Sequence, residues 1–297
     1  MTAATANFPA VPTPADLNAE LTRFTQQLAK EVAGPPIELP SYPVIALRAQ
    51  RALSDPHASA DRIVQIICNE PVLAARMASL ANAAAFNHSG KKIADIRTAV
   101  TRLGFDALRT AAISFALAQL RNAPAYRSIA EPMNELCEAG VELAALSCVV
   151  ARATGCATPD SALLAGLVSG VGKLHILTHT DEFALLFADD WMRREMFHHW
   201  HAQVTRSVLT NWCLAPEVID AASEFERAAQ DSRSQVRLAD VLACSKAIIE
   251  LHHAPEKLAA HLELSHAARR LALHTERCAA LLEESAEERQ QLRSALA

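Results

Sequence analysis

The stretch ALLAGLVSGVGKLHIL, Ala162–Leu177, is an apolar helical segment interrupted by glycine at Gly170 and Gly172. Its apolar residues recur at helical spacing, and no convincing alternation of apolar and polar residues occurs anywhere else in the chain. Eight glycines, 5% aromatic residues and abundant Ala and Leu point the same way. The expected fold class is all-α.

Working outward, Thr158 and Pro159 cap and start this helix, and a helix through Leu136, Val141, Leu143 and Cys148 precedes it and stops at Gly155. Upstream, Leu17, Leu21, Phe24 and Leu28 mark one face of a first helix from about Asp16 to Val32, ended by Gly34-Pro35-Pro36. The segment from Ile37 begins extended, because Pro40 and Pro43 restrict the residues before them, and becomes helical after Pro43. Short helices follow, one capped by Ser59 and one started by Pro71. Two more, Ile93–Leu103 and Phe105–Leu120, are divided by Gly104. Downstream, helices are expected around Phe183–Phe187, His198–Trp212, Pro216–Ala229 and Ser234–Leu251, with a single last helix from Ser265 carrying Leu271, Cys278, Leu281 and Leu282. No internal repeat is visible. The chain divides into a disordered lead-in over 1–15, a helical lobe over 16–125, a second over 126–264 and a C-terminal helix over 265–297, with the loop 121–132 between the lobes.

The 297 residues hold ample apolar material for a core, yet stretches such as Val141–Ala151 fall well short of the roughly 20 residues needed to span a bilayer. No membrane partner is expected. MTAATANFPAVPTPAD lacks the basic start and apolar core of a secretory signal, so a cytoplasmic location is expected. Seven cysteines are scattered without a CxxC arrangement, and most sit inside apolar helical patterns, where free buried thiols are expected. Lys and Arg number 28 against 33 Asp and Glu, and the pairs Lys91-Lys92, Arg193-Arg194 and Arg269-Arg270 are isolated, which argues against nucleic acid as a partner. No GxxxxGK[ST], GxGxxG or GxSxG occurs.

The run LPSYPVIALRAQRALSDPHASADRIVQIICNEPVLAARMASLANAAAF, then IADIRTAVTRLGFDALRTAAISFALAQL, ALLAGLVSGVGKL, HAQVTRSVLTNWCLAPEVIDAA and VRLADVLA, resembles bacterial HDOD proteins, relatives of the HD phosphohydrolases. The resemblance covers roughly Ile37–Ala243 and implies a two-lobed helical HDOD/HD-like domain whose second lobe is the HD-like one. HD chemistry needs imidazoles and carboxylates converging on metal ions that activate water. In the family frame an early histidine falls on Ala139, and the paired His-Asp falls on Ser169 and Gly170. A serine hydroxyl is a poor divalent-metal ligand and glycine offers none. His201 and Asp240 keep ligand-type side chains at matching positions, and Glu224 is at most a weak substitute where relatives place histidines. One imidazole and one carboxylate do not hold a catalytic zinc, which takes three protein ligands, so a stabilising hydrogen bond or helix-end contact is the expected role of both.

Outside that frame, His175 and His179 are four apart and His198 and His201 three apart, spacings that helical metal sites use and that histidine-rich surface helices also show. Lys173, after the glycine break, could meet an anion or simply be solvated. Leu39 and Gly166 match the family as core positions, and Asn82 as a residue that caps or bridges helices.

The expectation is therefore a non-catalytic signalling or regulatory module, without cofactor, that presents helical surfaces to an unidentified signalling protein. Two alternatives stay open: a residual metal-dependent phosphohydrolase using His201, Asp240 and a recruited histidine, and a nucleotide sensor binding an anionic ligand near Ser169, Gly170 and Lys173. A homodimer through the apolar stripe of the last helix is weighed against docking of that helix on its own domain.

Overall fold

In a computed structural model, residues 13–296 other than 56, 58, 88, 89 and 94 are described; most of the 1–15 lead-in lies outside them. Among the described residues every regular element is helical.

Helix α1, Pro14–Ala33, starts two residues before the expected Asp16 because Thr13 and Asp16 form a reciprocal cap: the Asp16 amide donates to Thr13 Oγ1 and the Thr13 amide to Asp16 Oδ2. Phe24 and Leu28 are fully buried on its inner face. Helices α2 (Val44–Ser54), α3 (Ala60–Cys68) and α4 (Pro71–Asn82) follow, with Ser59 capping α3 at the Arg62 amide. Helix α5, Ile96–Arg121, carries the expected break at Gly104, whose φ of 72° is open to glycine at little steric cost. It begins at Ile96 rather than Ile93 because Asp95 caps it through the Thr98 amide. Asn82 bridges as expected: its amide donates to the carbonyls of Ala78 and Ile93 and accepts from the Ile93 amide.

The 121–132 connection is a short 3-10 turn, Pro124–Ile129, with Tyr126 and Ile129 buried. Then come α6 (Ala130–Thr154), α7 (Pro159–Val168), α8 (Val171–Leu177), α9 (Ala184–Ala188), α10 (Asp190–Asn211), α11 (Pro216–Ala228), α12 (Leu238–Leu251) and α13 (Pro255–Leu264). The break between α7 and α8 falls at Ser169-Gly170 alone. Gly172 instead lies inside α8, where an added Cβ would sit 2.4 Å from the His201 carbonyl oxygen. It is there so that α8 and α10 can touch.

The expected single C-terminal helix is three: α14 (His266–Arg270), α15 (Thr275–Glu284) and α16 (Ala286–Leu296). Ala272, at φ 50°, turns the chain between α14 and α15. Leu271, Cys278, Leu281, Leu292 and Leu296 are all buried in the domain's own core, so the stripe considered for self-pairing faces inward. Arg76 and Ser114 both donate to the Leu296 carbonyl and fasten α16 down.

One hydrophobic cluster runs from Phe24 through α5, α6 and α7 to Leu296, so both lobes share a core. Pro159–Leu177 is long and apolar enough on average to cross a membrane, but 78% of that window is buried. The cysteines are all free; Cys148, Cys244 and Cys278 are buried, Cys137 and Cys156 are half-buried, and Cys68 and Cys213 are exposed. Burial pushes the Cys148 thiol up to about 12.

Candidate functional site

The HD-type positions come from α6, the α7–α8 junction, α10 and α12. The beginning of α6 does lie against the junction: an added Cβ at Gly170 would be 3.6 Å from the Leu136 carbonyl. What meets there carries no metal donor. Ala139 is exposed, Gly170 has no side chain, and the buried Ser169 hydroxyl donates to the Gly166 carbonyl at 2.8 Å.

The two ligand-type residues are engaged separately. His201 on α10 is 3% exposed and its Nε2 lies 3.3 Å from Glu226 Oε2, while its Nδ1 is buried without a partner. Glu226 Oε1 in turn accepts from Lys173 Nζ at 2.9 Å and Lys246 Nζ at 3.2 Å. Four helices, α8, α10, α11 and α12, thus converge on one carboxylate. Burial works to raise the Glu226 pKa, but the His201 hydrogen bond and the Lys173 charge hold it well below the usual carboxylate range. Lys173 is therefore neither solvated nor poised for an external anion; Glu226 is its anion. Glu224, at most a weak substitute ligand, pairs with Arg206 at 3.0 Å and Arg237 at 3.4 Å.

Asp240 is fully buried and all its acceptors are directed inward. The Arg237 amide donates to Oδ2 at 2.9 Å, and Arg270 grips both oxygens, Nη2 to Oδ1 at 2.6 Å and Nε to Oδ2 at 2.9 Å. The remaining Arg270 bonds reach the carbonyls of Ala228, Asp231 and Arg233. Such a two-bond fork is the strong form of the Arg–carboxylate pair. A catalytic metal of the HD type does not fit this set: of its two ligand-type residues, His201 is engaged by Glu226 and Asp240 by Arg270, and Ala139, Ser169 and Gly170 add no imidazole or carboxylate.

His198 is exposed while His201 is buried with its Nε2 against Glu226, and no third ligand-type side chain joins the two among the described residues. His175 and His179 share a face. They meet with Glu31 of α1 at the end of α8: His175 Nε2 is 2.8 Å from Glu31 Oε2, His179 Nε2 is 3.6 Å from it, and the two Nε2 atoms are 3.4 Å apart. Burial works to raise the Glu31 pKa too, and its bonds to the two imidazoles override this and hold it well below the ordinary range.

Sequence reasoning missed Glu226, Lys246, Arg270 and Glu31. Helical phase carried a signal for two of them. Glu31 continues the stripe Leu17, Leu21, Phe24, Leu28, and Glu226 lies eight residues beyond buried Val218 on the inward face of α11.

The packing of these helices defines an all-α protein of the HD-like class. Over 94% of this chain and the whole of the other, it superposes with a TM-score of 0.77 and 22% identity on a Shewanella amazonensis protein provisionally named a metal-dependent phosphohydrolase. A Marinobacter aquaeolei protein, provisionally named for signal transduction, matches 92% of this chain and 66% of its own with a TM-score of 0.52 and 18% identity. At these identities the likeness is one of fold. An uncharacterized Treponema pallidum protein is 24% identical over 217 residues, 68% of this chain; the match spans 40% of that protein's length. The HDOD domain profile matches residues 39–228, and the chain belongs to the HDOD family.

Proposed function

We propose that this chain is a non-catalytic regulatory module in bacterial signalling, acting through protein–protein contacts. The observation that carries the reading is the disposition of charge at the HD-type positions. Where metal-dependent relatives of the fold need a dication, a guanidinium balances Asp240, and two ammonium groups balance Glu226, the partner of His201. A buried carboxylate already gripped by a fixed cation takes an incoming metal only by giving up that pair, which leaves the displaced cation uncompensated. With Ala139, Ser169 and Gly170 contributing no ligand, a metal-bound hydroxide has nothing to hold it there. The nucleotide-sensing alternative loses its main support, since Lys173 is already paired. Family membership and the signal-transduction naming of a fold neighbour support the regulatory side of the reading.

The test is hydrolysis of a phosphomonoester, a phosphodiester and a panel of cyclic dinucleotides by the full chain, with Mg²⁺, Mn²⁺ or Zn²⁺ added in turn. Rates equal to those without protein are expected. Metal-dependent turnover abolished by His201→Ala would return the phosphohydrolase reading to first place.

A further inference from the structure

We propose that Glu31, His175 and His179 form a binding site for one zinc-type divalent cation, fastening α1 to the end of α8. The site shares no residue with the HD-type positions and is independent of the functional reading above.

Geometry comes first. Bonds of about 2.0–2.1 Å in a tetrahedron place donor atoms roughly 3.3–3.4 Å apart. The Nε2 atoms of His175 and His179 are 3.4 Å apart, and His179 Nε2 and Glu31 Oε2 are 3.6 Å apart. The third edge, His175 Nε2 to Glu31 Oε2, is a 2.8 Å hydrogen bond and must open on the order of 0.5 Å to admit a metal. Glu31 has room to do so, because its side chain is the most exposed of the three at 28%, against 5% and 11% for the histidines. The same opening admits the cation and leaves a fourth position for water.

The donor set selects the ion. Two imidazoles with one carboxylate suit zinc and its neighbours in the first transition row, whereas calcium and magnesium take oxygen ligands. Without a cation the arrangement is hard to satisfy: two imidazoles present the same nitrogen to each other and to one carboxylate, and His175 Nδ1 is buried with no partner, so all of that ring's bonding lies at Nε2.

The surroundings fix the rings. Phe24 lies edge-on to His179 with centroids 6.1 Å apart, and Phe183 is 6.4 Å away, giving the site an apolar wall. His179 Nδ1 is 3.3 Å from the Gln27 amide. A half-turn of that amide, at the loss of its 3.3 Å bond to the exposed Glu182, presents its oxygen to the Nδ1–H that a neutral, metal-bound imidazole carries. The histidines lie within the HDOD segment 39–228 and Glu31 lies before it. The site thus joins a helix outside the matched segment to the family domain.

The experiment uses the full chain without a histidine tag, stripped with chelator and titrated with Zn²⁺ by calorimetry, with Co²⁺ as a spectroscopic substitute. One equivalent of Zn²⁺, the intense visible absorption of four-coordinate cobalt and a raised Tm on binding are expected. Glu31→Gln and His179→Gln should each weaken binding by more than about tenfold while the far-UV circular dichroism of the metal-free protein is unchanged. His201→Ala should bind as the parent does. No stoichiometric binding by the parent, or binding unaltered in both Glu31→Gln and His179→Gln, overturns the site. Binding lost only in His201→Ala also overturns it, and would count against the non-catalytic reading as well.

Discussion

Arg270 and Asp240 stand 30 residues apart in sequence and meet through two parallel hydrogen bonds, with Asp240 fully buried and the Arg270 side chain 8% exposed. Removing one member leaves the other charge buried without its partner, which typically costs about 3–5 kcal/mol. Arg270→Ala is therefore expected to destabilise the chain by about that amount, and Asp240→Asn by somewhat less because the Arg237 amide keeps an acceptor. Urea unfolding of the two single variants and the double variant checks this; the double should lose clearly less than the sum.

The carboxylate of Glu226 ties stability to acid. Its partners are His201, Lys173 and Lys246, and its native pKa is depressed from the ordinary 4.5. A depressed native value contributes stability that is fully present above the unfolded pKa and is lost as pH falls below it. Glu226→Gln should be less stable than the parent at pH 7, with the difference shrinking once pH drops below about 4.5. Unfolding midpoints at a series of pH values test the sign; a difference that widens in acid would contradict it.

Glycine at 166 is a packing requirement. An added Cβ would lie 2.6 Å from both the Cα and the amide nitrogen of Ala144, backbone atoms that cannot yield without moving α6. Gly166→Ala is expected to cost at least about 1–3 kcal/mol. Gly170→Ala is the control, since its new methyl would meet only the Leu136 carbonyl at 3.6 Å. Thermal melting should separate the two by several degrees; equal melting would mean that α6 and α7 have more slack than the distances imply.

Asn82 forms two hydrogen bonds that tie the end of α4 to the extended chain at Ile93, and a third to the Ala78 carbonyl within α4. Asn82→Ala leaves those backbone groups short of partners and is expected to cost about 1–3 kcal/mol. Asn82→Asp keeps the acceptor for the Ile93 amide but sets a carboxylate against two carbonyls, so chemical denaturation should show it no better than Asn82→Ala.

Helix positions, caps and the Gly104 break were legible because Thr158, Pro159, Ser59 and Gly155 act within one or two turns of themselves. That Ser169 and Gly170 offer neither imidazole nor carboxylate was legible for a simpler reason: it follows from residue type alone. Partner identities were not. Glu224 and Glu226 look alike in sequence, yet Asp220 and Glu224, one turn apart, both face Arg206, while Glu226 points to His201. Only the packing of α11 against α10 and α12 sets that phase. Likewise the break at Ala272 has no Gly or Pro to announce it, so the last three helices read as one.

The near-contact of backbones at Gly140 and Gly166 has a kinetic consequence. Gly140 stands where an added Cβ would touch the Leu167 carbonyl at 3.0 Å, so α6 and α7 meet along main chain rather than through deformable side chains. Amide protons in these two helices should exchange with solvent at the rate of global unfolding, and those of α1 and α13–α15 much sooner. The α6–α7 seam is then expected to be the stiffest part of the molecule, and any mechanical response to a partner has to be carried by the helices around it.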